Sequence, residues 1–504
     1  MAFTFVYSRA LWGAETPEVR VEVHLAGGLP LFNLVGLPEA EVRESRDRVR
    51  AALNHCGFGF PLSRVTVHLA PAELPKHSSR YDLPIAIGIM AASQHLPAEM
   101  LREWEFAGEL GLNGNLCAVH GALPMAVAVA RAGRRLMIAK ASADEAVHGH
   151  EGGVFGAAHL REVWEHIVGK QPIPPHAARA CHVSPGEGEA AWDLALIVGQ
   201  GQAKRALEIA ASGHHHLLMV GPPGVGKSFL ARAMAGITPP MEEQEALELA
   251  AIRAAHGERV APEHWRNRPF RQPHHSVTAA ALMGGGYGSH LHPGEVSLAH
   301  GGVLHLDEMG EFPTHLIDML REPMESGRIA VSRASWKVDY PARFQLVGAM
   351  NPCPCGYRGH ASRHCRCTQA QWDKYVRRLS GPMLDRIDLQ VELPVPEVQD
   401  WLNGSSEEDS ATVRRRVTAA WLRQVARQGT TNDRLSGRLL MQHAKLTKEA
   451  EKLLQHAAEK FSLSVRAIHR VWRVARTIAD LSQESAVDAV AVTEALRYRT
   501  GFMP

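Results

Sequence analysis

The chain has 504 residues, a formal net charge of +2 at pH 7 and 45% hydrophobic residues. That length suggests roughly three domains of 100–200 residues, the apolar content is ample for packed cores, and the near balance of charge excludes a polybasic field, so any nucleic-acid contact must come from local patches. No apolar run reaches the roughly 18 residues of a membrane span, and the first nine residues lack the basic-then-apolar layout of a secretory signal. A cytoplasmic protein without membrane contact is expected. Three cysteines, Cys56, Cys117 and Cys181, stand alone, and four fall between 353 and 367, a pattern of thiols plus a metal site and not of disulfides.

Residues 1–168 alternate strand-like pieces (19–23 and 65–69) with helical ones such as 41–54, and read as an α/β domain. The Pro- and Gly-rich stretch within 169–190 is aperiodic and reads as a linker. From 191 to 395 short apolar strands alternate with helices, the βα rhythm of a parallel sheet. A polar break at 404–410 precedes helical patterns over 411–428, 447–461 and 465–481, so 396–504 reads as a helical domain. The fold class is α/β with a helical C-terminal lid.

The most specific motif is Gly221-Pro222-Pro223-Gly224-Val225-Gly226-Lys227-Ser228, which follows the apolar run 217–220 and opens a helix. Glycines let backbone N–H groups face a phosphate, the helix adds its positive end, Lys227 reaches the β- and γ-phosphates of ATP, and Ser228 holds Mg²⁺. Downstream, residues 302–306 form a β-rich run ending in Asp307 and Glu308. With a phosphate loop upstream this is a Walker B strand and not a solvated turn: Asp307 serves the Mg²⁺ shell and Glu308 polarises the attacking water. The long separation of the two motifs leaves room for an insert, to which Arg266, Arg268 and Arg271 and the glycine-rich 284–290 belong; the arginines suit either DNA or a subunit interface. Residues 344–351 form a buried-type strand ending in Asn351, placed beside Walker B as sensor 1.

Residues 327–341 have two β-rich arms and a short polar tip, the layout of a hairpin. Arg333 and Lys337 offer phosphate contacts and Trp336 a stacking face for DNA, although an ordinary surface hairpin carries such residues too. Cys353-Pro354-Cys355 and Cys365-Arg366-Cys367, nine residues apart, bring four thiolates to one loop and suit a closed, structural tetrahedral Zn²⁺ site; His360 or His364 could replace one thiol. Arg386 lies among carboxylates, either as an arginine finger on a neighbour's phosphate or in an ion pair with Asp385 or Asp388.

This ordered set, together with Val198-Gly199-Gln200 and the runs 343–352 and 384–389, resembles the ComM/YifB family of Mg-chelatase-like AAA+ ATPases nearly end to end. The resemblance implies a hexameric ring with ATP between subunits, Arg386 acting on a neighbour, a sensor 2 arginine at Arg466, with Arg470 and Arg473 sharing its helix face, and the 327–341 hairpin facing the pore. It further implies a DNA helicase driving branch migration in natural transformation and homologous recombination, with recombination proteins as partners. The rival reading is a chelatase-type ATPase that remodels a protein. The N-terminal domain resembles the Lon-protease-like (ribosomal S5 domain 2-like) fold, but Met125 occupies the place of the catalytic lysine, and a thioether cannot activate a serine such as Ser78 or Ser79, which argues against peptidase activity. Arg43, Arg46 and Arg50 lie on one helix, either as a DNA-guiding face or as a solvated, salt-bridged one.

Overall fold

The computed structural model describes residues 2–38, 40–76, 78–177, 192–258, 264–287, 290–333, 336–360, 363–395 and 407–500. Most of the expected linker, and residues 404–406 of the polar break before the C-terminal helices, therefore lie outside the described residues.

The N-terminal part is a mixed seven-stranded sheet built from β1 (Ala2–Arg9), β2 (Glu18–Ala26), β3 (Leu31–Val35), β4 (Arg64–Ala70), β5 (Trp104–Ala107), β8 (Arg135–Ala139) and β9 (Val154–Ala157), with a small hairpin of β6 (Glu109–Leu110) and β7 (Leu116–Cys117) beside it. The strand order is β3-β4-β2-β1-β5-β8-β9, with β1–β2 and β2–β4 antiparallel. Strand β2 buries Val19, Val21 and Val23 on one face, as its period-two pattern requires. Beyond Asp82, which pairs with Arg48, the helix Asp82–Ala92 is apolar all round, and it is buried at every residue, as such a helix must be. Gly88 lets it sit on the sheet: a Cβ there would come within 2.7 Å of Val23 Cγ2. The helix expected over 41–54 is broken at Glu44 into Ala40–Arg43 and Ser45–His55.

The central module is a five-stranded, all-parallel sheet of β10 (Leu217–Val220), β11 (Phe270–Arg271), β14 (Val303–Leu306), β17 (Gln345–Met350) and β18 (Leu389–Glu392), in the order β11-β14-β17-β10-β18. Strands β10, β14 and β17 are buried at every residue, so their sequences are near-continuous apolar runs. Two antiparallel hairpins project from the module, β12 (Gly284–Tyr287) with β13 (His290–Pro293), and β15 (Arg328–Arg333) with β16 (Trp336–Pro341). The long helices Ser410–Gln428, Lys448–Lys460, Val465–Leu481 and Ala489–Thr500 follow, and Val417, Val471 and Val474 share one core with Leu230 and Met234 of the helix after the glycine loop.

The N-terminal domain docks on the central module. Leu123 packs with Ala250, His148 stacks on Trp265 at 6.0 Å, and Gly13 meets the hairpin so closely that a Cβ there would lie 2.6 Å from Val338 Cγ1. No described helix is long and apolar enough to cross a membrane.

Candidate nucleotide site and thiol cluster

Strand register assembles the site. Val220 pairs with Met350 and Leu306 with Gly348, so the residues that follow β10, β14 and β17 emerge together at the carboxyl edge of the sheet, where open α/β folds bind ligands. Gly224 (φ +83°) and Gly226 (φ +92°) are in the left-handed region, and a Cβ added to either would meet nothing within 4 Å. Glycine is needed there for conformation, and the open side is room for phosphate. Gly221 differs: its Cβ would lie 2.7 Å from Leu393 O, so it seats the loop against the end of β18.

Lys227, at the start of the helix Lys227–Ile237, donates to Gly221 O (2.6 Å), Pro222 O (2.8 Å) and Asn351 Oδ1 (3.0 Å). Burial lowers its pKa to about 8, opposed by the nearby carboxylates of Asp307 and Glu308. Ser228 Oγ donates to Asp307 Oδ2 at 2.7 Å. A hydroxyl and a carboxylate in contact beside an open glycine loop fit Mg²⁺ with a nucleotide polyphosphate, so Ser228 and Asp307 would hold the metal and Lys227 with the loop amides the phosphates. Glu308 sits at φ +50° with its side chain more than half exposed, and His275 Nδ1 lies 3.9 Å from its carboxylate. The sequence reading missed three neighbours: His275; Gln272, whose amide is 3.5 Å from Asp307 Oδ2; and His305, which burial keeps neutral 4.0 Å from the same oxygen. The His274-His275 pair in the insert was the available signal.

Arg386 lies elsewhere. It donates to Pro382 O (2.7 Å) and pairs with Glu325 at 2.5 Å, while the expected alternatives are taken: Asp385 by Arg499, and Asp388 by Arg470. Beside it is a cavity of about 420 Å³ lined by His216, Arg343, Phe344, Arg466 and Arg470 among others. His216 and Phe344 immediately precede β10 and β17, so this cavity opens at the amino edge of the sheet, opposite the glycine loop. A four-residue strand spans about 13 Å at ~3.3 Å per residue, and Arg386 and Arg466 are thus separated from Lys227 of their own chain by the depth of the sheet. Arg470 donates to Arg386 O and Asp388, and Arg473 to Asp433 O, whereas Arg466 makes no hydrogen bond or ion pair among the described residues.

The other basic residues are largely committed. Arg266 donates to Met241 O, Arg268 to Pro239 O, and Arg271 pairs bidentately with Glu295 at 2.7 Å, so this cluster braces the insert. Arg46, paired with Asp47, and Arg50, over Phe60, lie on the helix Ser45–His55, whereas Arg43 ends the short helix before the break and donates to Pro38 O, so the three do not share the one helix expected. In the β15–β16 hairpin Lys337 is exposed opposite Ser332, and Val331, Val338 and Tyr340 face the core. The tip 334–335 and the side chains of Arg333 and Trp336 lie outside the described residues. In the N-terminal domain Met125 is buried, Ser79 Oγ donates to Glu109, Ser78 Oγ accepts from Arg80 and Lys76 Nζ donates to Pro71 O, so neither serine hydroxyl meets an amine.

Cys353, Cys355, Cys365 and Cys367 converge: their sulfurs all lie within 4.8 Å of one another, with Cys353–Cys355 at 3.4 Å and Cys365 at 3.6 Å from both. Sulfurs at 2.3 Å from a tetrahedral zinc stand about 3.8 Å apart, so the four thiols can hold a metal without rearrangement. Among the described residues no histidine belongs to this group. The cluster is joined to the phosphate loop, because a Cβ on Gly356 would lie 2.8 Å from Pro223 Cδ.

A parallel sheet in this strand order, with a glycine loop after its fourth-positioned strand β10, carboxylates after β14, an amide after β17 and a helical domain behind, defines an AAA+ P-loop module. Residues 193–401 match the family described as magnesium chelatase, subunit ChlI, residues 21–142 the subunit ChlI of Mg-chelatase, and residues 407–499 the ChlI C-terminal family. A protein YifB of Salmonella typhimurium and the competence protein ComM of Haemophilus influenzae are each 44% identical to this chain over 99% of its length, covering 97% and 98% of their own. The magnesium-chelatase 67 kDa subunit of Heliobacterium mobile is 25% identical over 59% of the chain and 47% of its own length. The chain belongs to the ComM/YifB family of magnesium-chelatase-like AAA+ proteins.

Proposed function

We propose that this protein is a cytoplasmic, hexameric, Mg²⁺- and ATP-dependent DNA motor that drives branch migration during natural transformation and homologous recombination alongside recombination proteins. The observation that carries this reading is the division of charges between the two edges of the parallel sheet, with Lys227 at one and Arg386 with Arg466 at the other. Each ATP is then completed by a neighbour, and a closed ring is the symmetric way to satisfy such a head-to-tail contact. When bound, Mg²⁺ neutralises the β- and γ-phosphate oxygens. Lys227 and the loop amides orient the phosphates, Asn351 and Glu308 position the attacking water, and the neighbour's Arg386 and Arg466 meet the charge that develops on the transferred group. The thiol cluster binds Zn²⁺ and fixes the loop between Asn351 and the cradle. Movement reaches the strand through the β15–β16 hairpin, where Lys337, Arg333 and Trp336 contact DNA.

The test mixes subunits. Lys227→Ala and Arg386→Ala proteins are each inactive, and a mixture regains ATP turnover because an intact cradle meets an intact finger; a mixture as dead as its parts sinks the interface. The similarity to magnesium-chelatase subunits favours, as a second reading, a motor that remodels a protein. ATP turnover with and without forked and single-stranded DNA separates the two: stimulation abolished by Arg333→Ala with Lys337→Ala supports the DNA motor, and no response supports the remodeller.

A further inference from the structure

Two carboxylates line the cavity beside Arg466. Asp433 is engaged by His214 at 3.8 Å and by the hydroxyl of Thr431. Glu325, with a side chain 53% exposed, takes Arg386 at 2.5 Å. Around this pair are Arg321, Arg466 and Arg470, which lower the pKa of Arg386 further after burial has done so. A carboxylate on a guanidinium occupies the same donor fork that a phosphoryl group uses. Arg386 Nε has no partner among the described residues, so the fork is only partly used there.

The position of Glu325 matters as much as its charge. It belongs to the helix Arg321–Ser326, which ends at Gly327 in the left-handed region (φ +68°) and passes directly into β15. Ala342 N donates to Gly327 O at 2.8 Å and closes the root of the β15–β16 hairpin. Whatever moves Glu325 therefore acts on that root.

We propose that Glu325 is the resident anion of the arginine finger: it holds Arg386 within a subunit, yields it to the neighbour's γ-phosphate on assembly, and passes that exchange to the hairpin. The proposal rests on the interface reading above. Glu325 is a positioning residue, since it acts through Arg386. A phosphate that must displace a carboxylate binds more weakly than one that meets a free guanidinium, while the displaced carboxylate is what carries the event to β15.

The experiment compares unaltered protein with Glu325→Gln, Glu325→Asp and Arg386→Ala, reading ATP turnover against protein concentration and hydrogen exchange of residues 328–341 with and without Mg²⁺ and a slowly hydrolysed ATP analogue. For Glu325→Gln the concentration giving half-maximal turnover falls about fivefold, the scale of one screened charge-assisted hydrogen bond. The change in hairpin exchange on adding nucleotide, present in unaltered protein and in Glu325→Asp, disappears. A half-maximal concentration that is unchanged or higher in Glu325→Gln, a hairpin response that survives it, or a hairpin that does not respond in unaltered protein overturns the proposal. Normal turnover by Arg386→Ala instead removes the interface reading itself, and the two failures are thereby distinct.

Discussion

The two edges of the five-stranded sheet carry opposite arrangements of charge. At the carboxyl edge each polar group has an opposite number within reach: the ammonium of Lys227 with the amide of Asn351 and two carbonyls, the hydroxyl of Ser228 with Asp307. At the amino edge arginines outnumber their acids, and Arg466 is unpaired among the described residues. The first edge is a site made by one chain from strand ends in register. The second has more guanidinium groups than carboxylates, a surplus of positive charge that would suit a head-to-tail contact with the first edge of a neighbouring copy.

The largest effect expected is at the second edge. Arg386→Ala lowers ATP turnover by about three orders of magnitude or more, the range measured for arginine fingers, and it leaves nucleotide affinity nearly unchanged, as fluorescent-nucleotide binding would reveal. Equal loss of affinity would place Arg386 at its own cradle and erase the contrast. Lys227→Ala follows, with turnover reduced about 10²–10³-fold and binding weakened too. Cys353→Ser tests the link between the thiol cluster and the cradle: bound zinc falls from one per chain towards none by metal analysis, and KM for ATP rises about tenfold, the usual scale for a disturbed metal shell, through Gly356 and Pro223. A zinc content near zero in unaltered protein defeats the metal.

The smallest effect is one of pH. Burial lowers the pKa of Lys227 from 10.5 to about 8. Below that value the ammonium is charged in folded and unfolded chains alike, at a desolvation cost to the fold. Between about 8 and 10.5 the folded protein releases the proton first, so this residue's contribution to stability rises with pH. Phosphate binding has the opposite sign, because it needs the charged form. The profile of kcat/KM for ATP therefore falls above about pH 8, without a parallel loss of thermal stability from this group.

Local chemistry made much of this protein legible. A glycine loop between an apolar strand and a helix, a strand ending in Asp307 and Glu308, and four clustered cysteines are each recognisable within a few residues, because phosphate cradling and thiolate ligation depend on short spacings. The same is true of 465–481, whose 3.6-residue periodicity predicted the helix found there. Arginines are different, since a guanidinium on a long side chain can serve any acid that the fold brings near. Spacing offered Asp385 and Asp388 for Arg386, and the fold supplied Glu325; it left Arg466, Arg470 and Arg473 equivalent, and packing of their helix against Asp388 and Asp433 committed the last two. The sequence determined which groups are suited to phosphate and to a metal, whereas the three-dimensional arrangement alone determined which edge of the sheet each faces, because that depends on strand order and register between residues far apart in the chain.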